Sequence, residues 1–210
     1  MEKIETKCGN VILKVKYDDL KYCIEYDTYC ELNTNLRYIL RLNLNKVNGI
    51  KNNNGKSIMF ILKNPSHADQ NTKDKTLTRL AGWTYHPIKN IHNFTICNLI
   101  PLKAKKSYEL KNKWFDLNEE EKKRILEEND FKIKECLKEH DKIICGWGTN
   151  KSIPENDYNS RIKQLSNFQE IKTKTLFKVE ECSKEGYPQH PLNWNYETEK
   201  SGFDIQNFLN

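Results

Sequence analysis

Four side chains that can form hydrogen bonds or stack each follow a mostly apolar run with the composition of a buried β-strand. They are Asn64 after the run 58–63, Asn98 after 94–97, Trp147 after 142–145, and His190 after 176–179 and a short loop. In an open parallel sheet, the loops that leave the carboxyl ends of the strands converge on one crevice, and ligands bind there. Two amides and an imidazole in such a crevice suit a polar heterocyclic ligand better than they suit a hydrophobic core.

Asn64 is followed by Pro65 and Ser66, and the proline restricts the asparagine. Pro65 fixes its own φ and pushes Asn64 toward an extended backbone, so the amide is held at the strand end. An amide is not a strong general base, so a chemical role for Asn64 would be to position a water molecule. A simple proline turn leaving a strand explains the same residues, and taken alone it is the better explanation.

For His190 and Asn98, as for Asn64, a functional and a structural explanation both fit the sequence. His190 precedes Pro191, which rigidifies it, and an imidazole can donate a hydrogen bond to a developing negative charge. Asn98 offers a donor and acceptors from one planar amide, which suits the edge of a nucleobase. The alternatives are a structural histidine at a loop bend and a buried asparagine that satisfies backbone groups.

Trp147 and three charged residues are more ambiguous. Trp147 lies between two glycines and either belongs to the core, which is the commoner case, or forms the floor of a pocket. Asp69, Asp74 and Arg79 could hold a water or a phosphate. A capped helix with surface charges explains these three residues equally well.

The order of these motifs resembles the uracil-DNA glycosylase superfamily, and the Asn-Pro pair is similar to its mismatch-specific branch. A closer resemblance is to a small family of bacterial and phage domains with Leu-Asn-Pro-Ser-x-Ala-Asp, Asp-x-Thr-x-x-Arg, Asn-Leu, Trp-Gly and Gly-x-Pro-x-His-Pro-Leu motifs. The corresponding segments of this chain are 63–69, 74–79, 98–99, 147–148 and 186–192. Two departures are the missing second Ser-Pro of the His-Pro loop and Lys63, which stands where a glycine precedes the Asn-Pro pair.

The resemblance implies a monofunctional DNA glycosylase that hydrolyses the N-glycosidic bond of an unusual, damaged or hypermodified pyrimidine base, flipped out of duplex or single-stranded DNA. Removal of such a base in antiviral defence is one hypothesis. The implied roles are catalytic for Asn64, His190, Asp69 and Asp74, base-binding for Asn98, Ser66 and Trp147, and DNA-binding for Lys63, Arg79 and Trp194, with Trp194 as the wedge in the vacated stack. No metal or other cofactor is implied.

Two other functions fit the same residues. One is an N-glycosidase that acts on free nucleosides or nucleotides and needs the pocket without a large basic face. The other is a catalytically inactive module that binds nucleic acid. Convergence of Asn64, Asn98 and His190 on one cavity favours a reaction, and Lys and Arg side chains around its mouth favour DNA.

Composition is compatible with these functions but does not select among them. The chain has 210 residues, of which 37% are hydrophobic and 30% charged, and a formal net charge of +6. A basic chain attracts polyanions, although Lys and Asn are abundant throughout the sequence. The seven cysteines include no Cys-x-x-Cys pair. We therefore expect a reduced, cytoplasmic, monomeric protein without a metal site and without a membrane-spanning segment.

The elements that must position these residues predict an α/β fold. Alternating residues within 10–31 predict antiparallel strands, and 36–42 predicts another strand. Helices are predicted over 74–83, 118–139, 157–168 and 203–209, with a break of the second at 128–130. Together they predict a three-layer α/β/α sandwich with a central, mainly parallel sheet of about four strands. The whole chain, 1–210, is expected to form one domain, with 1–35 as an N-terminal extension of strands and 36–192 as the core.

Overall fold

The computed structural model describes the backbone of residues 4–7, 11–17, 20–33, 35–47, 50–51, 56–66, 74–85 and 91–206, and the side chains of 35–42, 56–66, 74–84, 91 and 93–206. Within these ranges ten strands form one mixed sheet in the order β1-β3-β4-β7-β6-β8-β9-β10, with β2 paired to β3 and β5 to β4. The strands are β1 Ile4–Lys7, β2 Val11–Tyr17, β3 Leu20–Asn33, β4 Leu36–Val47, β5 Ile50–Lys51, β6 Lys56–Leu62, β7 Ile91–Asn98, β8 Ile143–Cys145, β9 Leu176–Val179 and β10 Lys200–Gly202.

The centre of the sheet is parallel, as the sequence predicts. Strands β7, β6, β8 and β9 run parallel to one another, whereas the strands on either side of this group are antiparallel. The residues of β6 from Ile58 to Leu62 are all buried, as expected of a central strand that is covered on both faces. The prediction of an α/β fold with a parallel centre is confirmed, and the complete sheet is mixed.

Five helices cover the two faces of the sheet. They are α1 Lys75–Tyr85, α2 Ser107–Asp116, α3 Glu119–Glu139, α4 Glu155–Ser166 and α5 Gln169–Lys172. Helix α1 packs through Leu77, Leu80 and Trp83 on one face, together with Trp194. Helices α2 to α5 contribute to the hydrophobic cluster on the other face. The arrangement is therefore the predicted three-layer sandwich.

The local sequence determines where helix α3 begins. The Asn118 side chain accepts a hydrogen bond from Glu121 N at 2.9 Å, and the Glu121 carboxylate accepts one from Asn118 N at 3.0 Å. This capping box and the acidic first turn favour a helix start at Glu119. The helix continues without interruption to Glu139, so the predicted break at 128–130 is wrong.

Other predictions differ from the structure at element ends. Helix α4 begins at Glu155 rather than 157, and neither α2 nor β10 is predicted from the sequence. Of the predicted C-terminal helix at 203–209, residues 205–206 are helical, and 207–209 lie outside the described residues. None of the described helices is both long and apolar enough to span a membrane.

The chain order places the segment after β6 at a switch point of the sheet. From β6 the chain crosses to β7 on one side, and from β7 it crosses to β8 on the other side of β6. Loops leaving strands in opposite directions open a crevice at the carboxyl ends, which is where ligands bind in sheets of this type. Asn64, two residues after β6, therefore stands at the position that the topology favours for a site.

Candidate functional site

The segments that follow β6, β7 and β8 leave the sheet at one edge. Leu62 pairs with Asn98 in the parallel register of β6 and β7, and Ile61 pairs with Cys145 across β6 and β8. Beyond the strand ends, backbone hydrogen bonds continue from Ile100 N to Lys63 O at 2.9 Å and from Gly146 N to Ile61 O at 2.9 Å. Three of the motif-bearing segments are thus held side by side.

The loop that carries His190 packs onto the end of β8. Gly148 N donates to Pro188 O at 2.9 Å, and Gly148 has a positive φ of 68°. A Cβ atom at Gly148 would lie 3.1 Å from the His190 Cβ, so only glycine fits this approach without a shift. His190 therefore reaches the same sheet edge as Asn64, Asn98 and Trp147.

The Asn64 side chain is fixed through its amino group. Its Nδ2 donates to Pro65 O at 3.0 Å and to Ala104 O at 3.0 Å. In the described part of the chain no donor reaches Oδ1, so the amide oxygen is left to accept a hydrogen bond. An oriented acceptor of this kind can hold a water molecule, but it cannot remove a proton as a strong base would.

The His190 ring is neutral and its tautomer follows from its hydrogen bond. Its Nδ1 accepts from Leu192 N at 3.3 Å, which leaves the proton on Nε2. Burial is the main cause that lowers the pKa of His190 to about 4, and the charge of Lys63 lowers it further while Asp74 opposes the shift. At neutral pH the ring therefore offers an uncharged N–H donor.

The side-chain amide of Asn98 has no hydrogen-bond partner among the described residues. The residue is completely buried, and neither Nδ2 nor Oδ1 has a hydrogen-bond partner in the described part of the structure. An unpaired buried polar group of this kind costs about 1–3 kcal/mol, and such groups are rare in native proteins. A planar donor and acceptor that are unpaired at this edge of the sheet are suited to a ligand with the complementary pair.

A polar network below Asn98 holds its backbone in place. On α3, Asn129 Nδ2 donates to Asn98 O at 2.9 Å. On α4, Arg161 Nε donates to Leu99 O at 3.2 Å, and its guanidinium pairs with the buried Asp130 through two nitrogens. The network is buried, with Asn129, Asp130 and Arg161 at most 5% exposed. It fixes the end of β7 from the face of the sheet that α3 and α4 cover.

Ser66 and Asp74 form a linked pair at the start of α1. The Ser66 hydroxyl donates to Asp74 Oδ2, and Asp74 Oδ1 accepts from Leu77 N at 2.7 Å. Asp74 is thus the N-cap of α1, and both carboxylate oxygens are engaged. It still acts on His190 electrostatically. Asp69, the other acidic candidate, lies outside the described residues.

Lys63 lies inside the site and is half-buried. Its Nζ donates to Thr149 O and stands 5.6 Å from the centroid of the Tyr158 ring. Burial, assisted by the charge of Lys151, lowers the pKa of Lys63 to about 8. The amine therefore influences His190 directly, and its predicted contact with DNA stays a prediction.

Two of the predicted aromatic residues are part of the core. Trp194 is 2% exposed, packs against Phe60 and Trp83, and donates from Nε1 to Gln189 O at 2.8 Å. A side chain held in this way cannot enter a base stack, so the prediction of Trp194 as the wedge is wrong. Trp147 is completely buried beside Phe203, in the hydrophobic cluster below the sheet.

Arg79 connects α1 to the His190 loop. Its guanidinium donates to Trp194 O at 3.0 Å and lies 4.5 Å from the centroid of the Tyr196 ring. Leu192 is the exposed large hydrophobic side chain of this loop, at 45%. Arg79 thus orients the loop, and the apolar side chain that the loop presents to solvent is a leucine.

The comparison with protein families finds one match. A model of the family described as "Protein of unknown function (DUF1643)" matches residues 37–192, which is more than half of the chain. The chain belongs to this family. No curated protein and no solved structure matches it. The matched segment begins in β4 and ends at Leu192, so it contains the central parallel strands and all the motifs described above except Trp194.

Sequence reasoning missed the support for Asn98 on α3 and α4, although a signal was present. Ile125, Asn129 and Ile133 are spaced four residues apart, which places a polar amide in the middle of an apolar helix face. A polar residue on such a face needs a buried partner. That partner is the end of β7. Among the described residues, no group of three or more His, Cys, Asp or Glu side chains is arranged to hold a metal ion.

Proposed function

We propose that this protein is a DNA glycosylase of the uracil-DNA glycosylase type that hydrolyses the N-glycosidic bond of an unusual, damaged or hypermodified base. The observation that carries the proposal is the buried and unpaired amide of Asn98, located at the same sheet edge as the neutral N–H donor of His190. The first of these groups recognises a heterocycle and the second stabilises a leaving group. The order of the motifs supports the same assignment.

In a duplex, recognition begins with extrusion of the base, because the reacting bond is not accessible there. Flipping costs about a few kcal/mol. Asn98 then pairs with the edge of the flipped base, using Nδ2 as a donor and Oδ1 as an acceptor. A base that lacks the matching groups would leave this amide unpaired in a dry site, and such mismatches are rejected strongly.

Bond cleavage places negative charge on the base. As the bond between C1′ and the base nitrogen breaks, its electron pair moves to the base and the sugar gains oxocarbenium character. His190 donates from Nε2 to the oxygen that accumulates charge, and one preorganised donor is worth about 3 kcal/mol. Water held by Asn64 Oδ1 adds to C1′ and loses a proton to solvent, and the departing base anion takes up a proton from solvent, so the products are the free base and an abasic sugar.

The rim of the site supplies groups for DNA. Lys105 and Lys106 are exposed and lie next to Ala104, whose carbonyl anchors Asn64. Such lysines neutralise phosphates and provide affinity that does not depend on sequence. Leu192 is the exposed apolar side chain beside His190 and takes the wedge role in place of Trp194.

The proposal is tested by incubating the protein with oligonucleotides that each carry one modified base. Alkaline cleavage locates abasic sites, and mass analysis identifies the released base. Asn98→Ala should abolish release from the responsive substrate, and Asn167→Ala, at an exposed position just after α4, should not. Release of the base from free nucleosides but not from DNA would identify a small molecule as the substrate. DNA binding without release of a base from any member of a broad panel would contradict the enzymatic function.

A further inference from the structure

Helix α2 exposes two aromatic rings on one side. Tyr108 is 57% exposed and Phe115 is 58% exposed, and they are two of the few large hydrophobic side chains that the described surface presents to solvent. They are seven residues apart, which is about two helical turns, so they lie on one stripe. Leu110 and Trp114 are the buried residues of the same helix. The rings are therefore not needed to pack α2 onto the sheet.

Lysines accompany the two rings. Lys105, Lys106 and Lys111 are all exposed, and Lys106 Nζ lies 5.5 Å from the centroid of the Tyr108 ring. Glu109, the acidic residue in the first turn of α2, accepts from the backbone amides of Lys105 and Lys106 at 2.9 and 3.3 Å and so caps the helix. The stripe thus combines positive charge with flat apolar surfaces, and we call these five residues, Lys105, Lys106, Tyr108, Lys111 and Phe115, the α2 surface.

The α2 surface is joined to the candidate site by short contacts. Ala104 N donates to Pro65 O at 2.8 Å, and Ala104 O accepts from Asn64 Nδ2 at 3.0 Å. Lys105 and Lys106 follow Ala104 directly, and the helix starts at Ser107. A strand whose target nucleotide lies beside Asn64 would therefore reach these lysines first and the rings next.

We propose that the α2 surface binds single-stranded nucleic acid beside the target base, with neighbouring bases stacked on Tyr108 and Phe115. The position of this strand beside the target base rests on the proposed function. The rings are about 10 Å apart along the helix axis, a distance that roughly three stacked nucleotides of one strand cover. Lysines around stacking rings are the combination that binds single strands without sequence preference.

A single strand fits this surface better than a duplex does. In a duplex both faces of each internal base are covered by its neighbours, so exposed rings on a protein have no base to stack on. In a single strand the faces are accessible, and a base–aromatic stack contributes about 1–3 kcal/mol. An unpaired substrate also avoids the energy of flipping. The surface therefore favours a target base in unpaired DNA.

The inference is tested with unmodified DNA, so that it does not depend on which base is excised. A fluorescently labelled thymidine oligomer of about 12 nucleotides and a duplex of the same length are titrated with protein at several salt concentrations. Wild type should prefer the single strand. The double variant Tyr108→Ala, Phe115→Ala should lose at least about 10-fold in single-strand affinity and change little on the duplex.

Matched variants separate stacking from charge and from folding. Phe131→Ala removes an aromatic side chain that is 60% exposed on α3, and it should not change binding. Lys111→Ala should weaken binding to both the single strand and the duplex. It should reduce the slope of log affinity against log salt concentration by less than one unit. Thermal unfolding of each variant checks that the fold is retained.

Three outcomes would overturn the inference. The first is absence of single-strand binding by the wild type. The second is a double variant that binds the single strand as the wild type does, or that loses equally on single strand and duplex, since either result would show that the rings do not stack on unpaired bases. The third is a wild-type dimer in sedimentation that the double variant loses, which would assign the rings to a second copy of this chain. Failure of base release with intact single-strand binding would instead refute the proposed function alone.

Discussion

His190 depends on its surroundings for its protonation state. Buried, and close to the Lys63 amine, the ring has a pKa of about 4 instead of about 6.5. A nuclear magnetic resonance titration of the imidazole should therefore show a midpoint near 4. Lys63→Met removes a charge that lowers this pKa, so the midpoint should rise, whereas Lys172→Met on α5 should leave it unchanged. A wild-type midpoint near 6.5 would mean that the ring is solvated and charged in weak acid.

The same shift predicts how stability changes with pH. The unfolded chain binds a proton at His190 near pH 6.5, and the folded chain does so only near pH 4. Between these values the unfolded state binds more protons, so the contribution of His190 to stability is present above pH 6.5 and is lost as pH falls toward 4. Chemical denaturation across this window should show a smaller loss in His190→Gln than in wild type.

We expect the Asn98 amide to lower the stability of the folded protein while it is needed for recognition of the base. Asn98→Leu removes two unpaired buried polar atoms and should raise the free energy of unfolding, or leave it unchanged, while base release is lost. Asn129→Leu is the comparison: its Oδ1 is also unpaired, but its Nδ2 donates to Asn98 O and Leu99 O, and loss of these hydrogen bonds should destabilise by about 1–3 kcal/mol. Equal destabilisation by both substitutions would show that the Asn98 amide is paired in solution.

For single residues, the sequence predicted which side chains lie at the candidate site better than it predicted which residues they contact. Asn64, Asn98 and His190 could be found because each stands beside a strand end or a proline, which are local signals. Burial of Trp194 depends on Phe60 and Trp83, which are distant in sequence, so nothing near position 194 revealed it. The bond from Lys63 to Thr149 likewise requires the tertiary fold.

At the scale of elements, the segment after β8 and the His190 loop approach each other closely. Gly148→Ala places a Cβ 3.1 Å from His190 Cβ on a backbone with φ of 68°. We expect it to destabilise by roughly 1 kcal/mol or more and to slow base release, because the loop must move. Gly202→Ala is the control, since a Cβ there meets no atom within 4 Å. Unchanged stability and activity in Gly148→Ala would mean that the loop is not held by this contact.

Helices and strands could be predicted where their signals were local. The capping box at Asn118 fixed the start of α3, but its continuity through Asn129 and Asp130 depends on partners in β7 and α4. Helix α2 was missed because its buried residues are few within a lysine-rich segment. Strand β10, with the sequence Lys-Ser-Gly, has little strand propensity and forms through its pairing with β9.

For the whole molecule, the arrangement of the sheet explains why motifs that are distant in sequence act together. The chain places β6 between β7 and β8, and parallel pairing brings their carboxyl ends to one edge. This much followed from alternating strands and helices in the sequence. The antiparallel strands that extend the sheet on both sides were foreseen only at the N-terminal side.

The central claim is that Asn98, His190 and Asn64 recognise the base, assist its departure and position water, respectively. Single-turnover base release on a responsive substrate, measured with a separate binding titration, tests it most directly. His190→Ala should slow release about 100-fold with little change in binding. Asn98→Ala should weaken binding of the flipped base, and Asn64→Ala should slow release while binding is retained. If all three variants release base at the wild-type rate, the assignment of the site is wrong.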